Sequence, residues 1–491
     1  MQDLRHPMNE FFLRLKSGVS LAVPPTLGSM TTYVLLEQED WFEKELGFLL
    51  RWLRPGMTVI DIGANVGVYS LPLARRVAPH GHVFAYEPGS APRTMLERSR
   101  THNRADNLHI VPAAVSDSPR EGQLVLGVSS ELNSLQGSGP GEPVRITSLD
   151  MEEGARGWDT VDFIKIDAEG EEERILAGGK SFFERQSPLV MYEIKVDDAA
   201  DDALRAAFPQ RGYNVYRMHP GAMVLVPDDP AKPLDRYELN LFAAKPDRAA
   251  ALANDGLLLD WIPAWAPDAG AREKALDLLK AQAFAPAFSM TFAGELDAVY
   301  RDALAAYAVW RSPQLPLAQR IGALDFASRI LFDLCRTAPT MARLSTLARA
   351  SWEAGQREIC LLALKSFAEL VARGAMNVSE PFWPANARFD GIDPGAQRGQ
   401  WLLASAFEQL ERAWGYSSIF VPAEFDLDWL CAQPFVASEM ERRRVLRRLA
   451  AGEQVEVPAR LCVPAEDHLN AEIWRAGLVP GTWVGEAAKA G

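Results

Sequence analysis

Asp61-Ile62-Gly63-Ala64-Asn65-Val66-Gly67-Val68-Tyr69-Ser70 reads as the end of a strand, a glycine turn and the start of a helix. Thr58-Val59-Ile60 supplies the apolar strand, the glycines permit angles and close approaches that a Cβ forbids, and the helix aims its unpaired N–H groups at the turn. Such a turn takes a ligand of nucleotide type, with polar or anionic groups. The spacing is G-x-x-x-G behind an acid, not the G-x-G-x-x-G on which a pyrophosphate lies, and Asp61 would repel phosphate. About twenty residues on, the strand Val83-Phe84-Ala85-Tyr86 runs into Glu87-Pro88, where a carboxylate can accept from both hydroxyls of a ribose. A nucleoside without phosphates fits best, and S-adenosylmethionine is the common one.

Further blocks follow in order: Ala113-Ala114-Val115-Ser116-Asp117 after an apolar strand, then Phe163-Ile164-Lys165-Ile166-Asp167-Ala168-Glu169-Gly170, then Met191-Tyr192-Glu193. With them, residues 40–245 resemble the FkbM family of S-adenosylmethionine-dependent methyltransferases. The resemblance implies a class I methyltransferase fold and methylation of hydroxyl groups, on sugars or polyketides in most characterised members. Ala168 departs from the valine common in the family's K-I-D-V-E-G block; the side chain is expected to be buried, which would make that change a small one.

In a doubly wound sheet the ligand lies at the carboxyl ends of the strands. Gly63, Asn65 and Gly67 are then expected at the methionine end of the cofactor, Asp61 toward its amino group, and Glu87 on its ribose. Ser116 and Asp117 fall near the adenine, with Asp117 accepting from its amino group, although Ser116-Asp117-Ser118-Pro119 is also an ordinary turn sequence. Lys165 and Asp167 share one face of their strand and Glu169 follows in the loop. These three are the expected catalytic block at the acceptor end. Its acids could poise a base, or Asp167 and Glu169 could hold a divalent ion such as magnesium through oxygens; the bland rival is an ion pair that only orders the strand end. Glu193 either faces the acceptor or pairs near Lys195, Asn240 is a polar break in the last strand, and His219 sits in a Pro-Gly turn where a histidine is more often solvated than catalytic. Asn133 and Ser134 lie in a loop that could close over the cofactor or simply be solvated.

Composition limits the alternatives. The 491 residues exceed one ordinary core, and 48% hydrophobic with 24% charged residues describe a soluble globular chain. A net charge of −14 argues against nucleic acid and anionic membrane as partners, since both need a basic face. No run is apolar and long enough to span a bilayer, and Met1–Glu10 has charges and Pro7 where a signal peptide needs an apolar stretch; the expectation is a cytoplasmic protein. Cys335, Cys360, Cys431 and Cys462 have no C-x-x-C spacing, which suggests buried thiols and neither zinc nor a redox pair.

Strands alternating with amphipathic helices predict an α/β fold over 1–247, with seven strands at 58–62, 83–87, 108–115, 162–167, 189–194, 213–217 and 238–244. A helix is expected over 41–54 and an inserted hairpin over 118–148. Prolines mark a linker at 248–272, and 273–491 reads as an all-α domain with helices near 270–284, 293–310, 316–336, 340–354, 356–373, 396–413 and 436–451. Met341 to Arg373 has spacings similar to one tetratricopeptide unit. The leading reading is an O-methyltransferase acting on a hydroxyl-bearing acceptor, a carbohydrate or related small molecule, with the helical part recruiting substrate, a protein partner or a second copy. The rivals are a partner-binding scaffold with a merely structural methyltransferase fold and an N-methyltransferase acting on a peptide or protein. Against the scaffold stands the joint presence of Asp61, Gly63, Gly67, Glu87, Asp167 and Glu169, because unliganded buried acids cost stability.

Overall fold

The computed structural model describes residues 11–127, 130, 133–136, 139–194, 199–288, 296–374, 378–421 and 426–477, with the side chains of 199–202 and 269 left out. Met1–Glu10 and Lys195 lie outside the described residues. The chain packs as two compact units, one of 1–218, 238–258 and 445–491, the other of 219–237 and 259–444. This partition differs from a single cut at 248–272: Pro246 opens a helix, Pro246–Asn254, inside the first unit.

The main sheet has strands β1 (Thr58–Ile62), β2 (His82–Tyr86), β3 (Leu108–Val111), β4 (Phe163–Ile166), β5 (Leu189–Glu193), β6 (Asn214–His219), β7 (Val224–Pro227) and β8 (Asn240–Ala244), in the order β7-β6-β8-β5-β4-β1-β2-β3. It has eight strands where seven were expected; the short Val-Leu-Val segment after the turn at 220–223 adds one. β3, β2, β1, β4 and β5 run parallel, and β8 is antiparallel to both β5 and β6. The central strands are buried on both faces, as parallel sheets require. All four residues of β4 are buried, Lys165 included.

The chain winds outward from β1 through β2 to β3, then returns to lay β4 on the other side of β1. The reversal opens a crevice at the carboxyl ends of β1 and β4, the switch point where ligands of doubly wound sheets bind. The expected helix at 41–54 is shorter, Glu45–Trp52. Pro55-Gly56 ends the segment, and Trp41 to Lys44 lie outside the helix, with Trp41 Nε1 donating to Glu43 at 3.0 Å. The helix packs Phe48 edge-on against Phe242 of β8 and Trp52 against Phe163 of β4, which fixes the loop before it relative to the sheet.

The hairpin expected within 118–148 is present as Arg120–Val125 antiparallel to Gly141–Thr147, with Ala114–Val115 parallel beside the latter. Phe11–Arg14 and Ser20–Val23 form a further hairpin that the apolar pattern did not announce. In the first unit, Glu39, at the end of the helix Met30–Gln38, accepts the backbone N–H groups of Leu469 and Asn470 at 2.7 and 2.9 Å, just before the helix Ala471–Arg475. The second unit is helical, including Ala298–Trp310, Leu317–Thr337, Met341–Glu353, Arg357–Ala372 and Arg398–Trp414. Phe382, Trp383 and Phe389 are fully buried in its core. Cys335 and Cys360 are buried free thiols.

A glycine substitution separates this architecture from its neighbours. Gly63 has φ +80°, and a Cβ there would stand 1.8 Å from the Asp167 carbonyl oxygen. Gly63→Ala is therefore expected to lose about 2–4 kcal/mol through strain and overpacking. Gly154, in the helix Leu149–Arg156 with nothing near its missing Cβ, should gain about 0.5–1 kcal/mol as alanine. Denaturant melts of the two variants check both signs.

Candidate functional site

The site is assembled from the ends of β1, β2, β4 and β5, the start of β8 and two loops. Behind β1 the chain turns through Gly63 (φ +80°), Asn65 (φ +47°) and Gly67 (φ +97°) before the helix Ser70–Val77. Three left-handed positions in five residues fold the backbone tightly enough that Gly63 and Ala64 both donate to the Tyr86 carbonyl, each at 3.1 Å. Asn65, not a glycine, carries its share of that strain. Glu169 does the same in the loop after β4 (φ +48°), so strained backbone flanks the crevice on both sides.

Glu87 follows β2 directly and is buried. One of its oxygens accepts from Asn65 N–H at 2.8 Å and the other from Gly89 N–H at 2.7 Å. Burial pushes its carboxyl up to about 7, against the pull of those two hydrogen bonds. Each oxygen keeps a lone pair, so the carboxylate can still accept a hydroxyl.

Asp61 is 1% exposed. Its Oδ2 accepts from Ser70 Oγ at 2.5 Å while Oδ1 is buried without a hydrogen-bond partner. Burial raises its carboxyl from the ordinary value; the field of Lys165 and the Ser70 hydroxyl work the other way. A buried acceptor left open in this manner is costly unless a ligand donates to it.

Lys165 is the centre of charge. Its ammonium is buried and lies 2.6 Å from Asp167 Oδ2, 5.2 Å from the ring centre of Tyr69, and in the field of Asp61 and Glu43. Burial would depress its pKa, but Asp167, Asp61 and Glu43 together more than reverse this and hold it charged. Asp167, Glu169 and Glu193 bring carboxylate oxygens within 4.8 Å of one another, and Glu193 pairs in register with Asn240 across β5 and β8. The structure thus collects Asp61, Lys165, Asp167, Glu169, Glu193 and Asn240 at one edge, while Gly63 and Glu87 line the turn next to it.

The inserted hairpin reaches this edge, as its position in the sequence suggested. Ser130 Oγ bonds Asn65 Oδ1 at 3.1 Å, Ser134 Oγ donates to the Glu169 carbonyl at 3.0 Å, and Gln136 Nε2 donates to the Gly170 carbonyl at 2.6 Å. Asn133 instead accepts from Gly127 N–H within its own loop. Ser116 is buried, with its hydroxyl donating to Glu171 at 2.5 Å. Asp117 is exposed and held by Arg120 at 2.5 Å and the Ser118 hydroxyl at 2.9 Å, the contacts of a turn acid, and these hydrogen bonds lower its carboxyl. His219 belongs to the other unit; it is buried, its Nδ1 accepts from Ala222 N–H, and its ring packs near Trp310.

Sequence reasoning missed Glu43 and Tyr69. Tyr69 OH donates to Glu43 Oε2 at 2.5 Å, and Asn240 Nδ2 donates to the same oxygen at 3.3 Å. Behind Glu43, Glu45 is buried, and burial first, with Glu43 and Glu238 adding, pushes it up to about 8. The available signal was Glu45, an acid on the apolar face of its helix.

A sheet ordered β6-β8-β5-β4-β1-β2-β3, with the glycine turn at the switch point and acids closing β1 and β2, defines the class I methyltransferase fold. Residues 61–215 match the family model described as the methyltransferase FkbM domain. No curated protein matches the chain. Among solved structures it is similar to a putative rRNA-methylase from Clostridium thermocellum (10% identity, 42% of this chain and 95% of that one, TM-score 0.28). It is also similar to fibrillarin from Aeropyrum pernix with natively bound S-adenosyl-L-methionine (13%, 50% and 84%, TM-score 0.26) and to a SAM-dependent O-methyltransferase from Thermotoga maritima (16%, 48% and 78%, TM-score 0.26). Among the described residues no helix is long and apolar enough to cross a membrane.

The burial of Lys165 gives a test. Lys165→Met leaves Asp61, Asp167 and Glu43 without their cation, and the expected loss is about 3 kcal/mol near pH 8. Because burial already favours the protonated forms of Asp61 and Glu43, the unfolded chain releases those protons more readily, so the variant's deficit shrinks as pH falls toward about 5. Urea melts at the two pH values measure it.

Proposed function

We propose that the crevice binds S-adenosylmethionine and that the domain transfers its methyl group to a hydroxyl of a carbohydrate or related small molecule. The observation that carries this reading is the Asp167 carbonyl filling the place of a Cβ at Gly63. It sets the turn that would hold the donor directly beside the Lys165–Asp167 pair that would meet the acceptor. The match to the FkbM family supports the same reaction class.

In this reading Glu87 accepts from the ribose hydroxyls, and the glycine turn with Asn65 cradles the amino-acid end. The open Oδ1 of Asp61 receives the ammonium, directly or through water. Ser116 and Asp117 sit toward the adenine, where Asp117 would have to exchange its turn contacts for the base. When bound, the donor supplies an electrophilic methyl on a sulfonium. The protein's part is to hold the acceptor oxygen in line with it and to receive the acceptor's proton. Lys165 and Asp167 can orient a hydroxyl between them, with Glu169, Glu193 and Asn240 beside them at the same edge.

Asp167, Glu169 and Glu193 also invite comparison with a magnesium site, since their oxygens cluster within 4.8 Å. They fit one poorly, because the Lys165 ammonium already occupies Asp167 Oδ2 at 2.6 Å and would repel a divalent ion beside it. No step is assigned to a metal. Accordingly, EDTA is expected to leave the affinity for S-adenosylmethionine unchanged in calorimetry; a chelator-sensitive affinity restored by magnesium would reverse this.

Titration of the purified protein with S-adenosylmethionine tests the main reading: one site of micromolar affinity, about −8 kcal/mol, is expected. Glu87→Ala should weaken it by about 1.5–3 kcal/mol, the worth of a hydrogen bond to a charged group. No binding by the folded protein refutes the reading, and full affinity in the folded Glu87→Ala variant removes Glu87 from the ribose.

A further inference from the structure

Among the described residues, acids outnumber cations on the acceptor side of the crevice. Lys165 is the cation at its centre, and three carboxylates lean on it: Asp167 in direct contact, Asp61 and Glu43 through the field. A second positive charge near the carboxyl ends of β1 and β4 would favour their ionised forms, which burial opposes at Asp61 and Glu43. A sulfonium donor supplies it while bound, but methyl transfer turns the sulfonium into a neutral thioether. The acids then lose the charge that favoured their ionised forms, and a proton bound to one of them restores the balance.

We propose, resting on the methyltransferase reading above, that Glu43 takes the proton released by the acceptor hydroxyl, so that the site keeps its charge through the reaction. In the step, an oxygen lone pair of the acceptor forms the bond to the methyl carbon. The C–S bond breaks with its electron pair going to sulfur, and the O–H bond breaks with its pair staying on oxygen. The proton passes to a Glu43 carboxylate oxygen. One positive charge leaves sulfur and one arrives at Glu43, and no outside reagent is consumed.

Geometry distinguishes Glu43 from its rivals. Asp167 already holds the Lys165 ammonium. Asp61 has Ser70 on one oxygen, and in the cofactor reading its other oxygen meets the donor's ammonium. Glu43 is only half-buried and sits in a cage of neutral donors: Trp41 Nε1 at 3.0 Å, Tyr69 OH at 2.5 Å and Asn240 Nδ2 at 3.3 Å. Among the described residues no cation forms an ion pair with it. The charged and titratable groups around it are Lys44 and Glu45 on its own loop and helix, Glu238 before β8, Tyr69 beyond the glycine turn, Asp61 on β1, and Lys165 and Asp167 at β4. Burial raises the Glu43 carboxyl above its ordinary value, with Lys165, Tyr69 and Trp41 opposing and Asp167 assisting. Glu45, behind Glu43, is pushed up to about 8, by burial first and then by the charge of Glu43.

The test needs no acceptor. S-adenosylmethionine and S-adenosylhomocysteine share the nucleoside and amino acid and differ in the charge at sulfur. Each is titrated calorimetrically into the full-length protein near pH 7, in phosphate and in Tris, whose different ionisation enthalpies reveal the protons exchanged. The expected result is that the neutral product takes up a substantial fraction of one proton more than the cationic donor, and that Glu43→Gln abolishes the difference. Equal proton exchange for the two ligands in the wild type, or a difference that persists in folded Glu43→Gln, overturns the proposal. Tyr69→Phe offers an independent check that keeps the carboxylate. Losing the hydroxyl that stabilises its ionised form should move the pH midpoint of the uptake upward, and an unmoved midpoint overturns the proposal equally. Failure of both ligands to bind would instead refute the cofactor reading on which the proposal stands.

Discussion

The Asp167 carbonyl oxygen presses against Gly63 where any other residue would carry a Cβ, and the site depends on that contact. It brings the loop after β4 against the turn after β1, so that the two halves of the doubly wound sheet meet at the crevice. Asp61 and Lys165 are register partners across β1 and β4, and the contact carries that closeness past the strand ends to Asp167. With it, the acids of both strands share one buried ammonium, and a modest backbone constraint becomes an electrostatic one.

That shared ammonium explains why the edge is stable enough to exist and why it is incomplete. One lysine can hold a cluster of carboxylates together, but at 2.6 Å it satisfies only Asp167 directly, leaving Asp61 Oδ1 without a donor. A cationic ligand with donors on it repairs both defects at once, and a sulfonium carrying an ammonium and a ribose has that description. The hairpin that reaches over from Arg120–Val125 and Gly141–Thr147 bonds Asn65 on one side and Glu169 on the other, so the two strained residues are held by the same insertion.

Much of this was legible in the sequence because it rests on local signals. The glycine turn, the acids after β1 and β2, and the charged residues inside an apolar β4 are visible within a few residues of one another. Strand ends fell within a residue or two for most of the sheet, as expected where Gly and Pro punctuate Val- and Ile-rich runs. The failures have physical reasons too. Val224–Pro227 is too short to show alternation. The helix at Glu45 starts late because Trp41 and Glu43 turn toward each other, a choice made by side chains and not by periodicity. Glu43 itself was invisible because its partner Asn240 is 197 residues away, and no pattern at one end of the chain encodes a contact at the other. Asp117 shows the converse: a position the resemblance marks for a base is, in the structure, tied to Arg120 in an exposed turn.

The most direct test of the central claim is a crystal structure of the full chain with S-adenosylhomocysteine. The account predicts the ribose hydroxyls on Glu87, the amino-acid end in the turn of Gly63, Asn65 and Gly67, and the sulfur facing the space between Lys165–Asp167 and Glu43. A ligand bound elsewhere, or in this crevice with its sulfur turned away from Lys165, would contradict it.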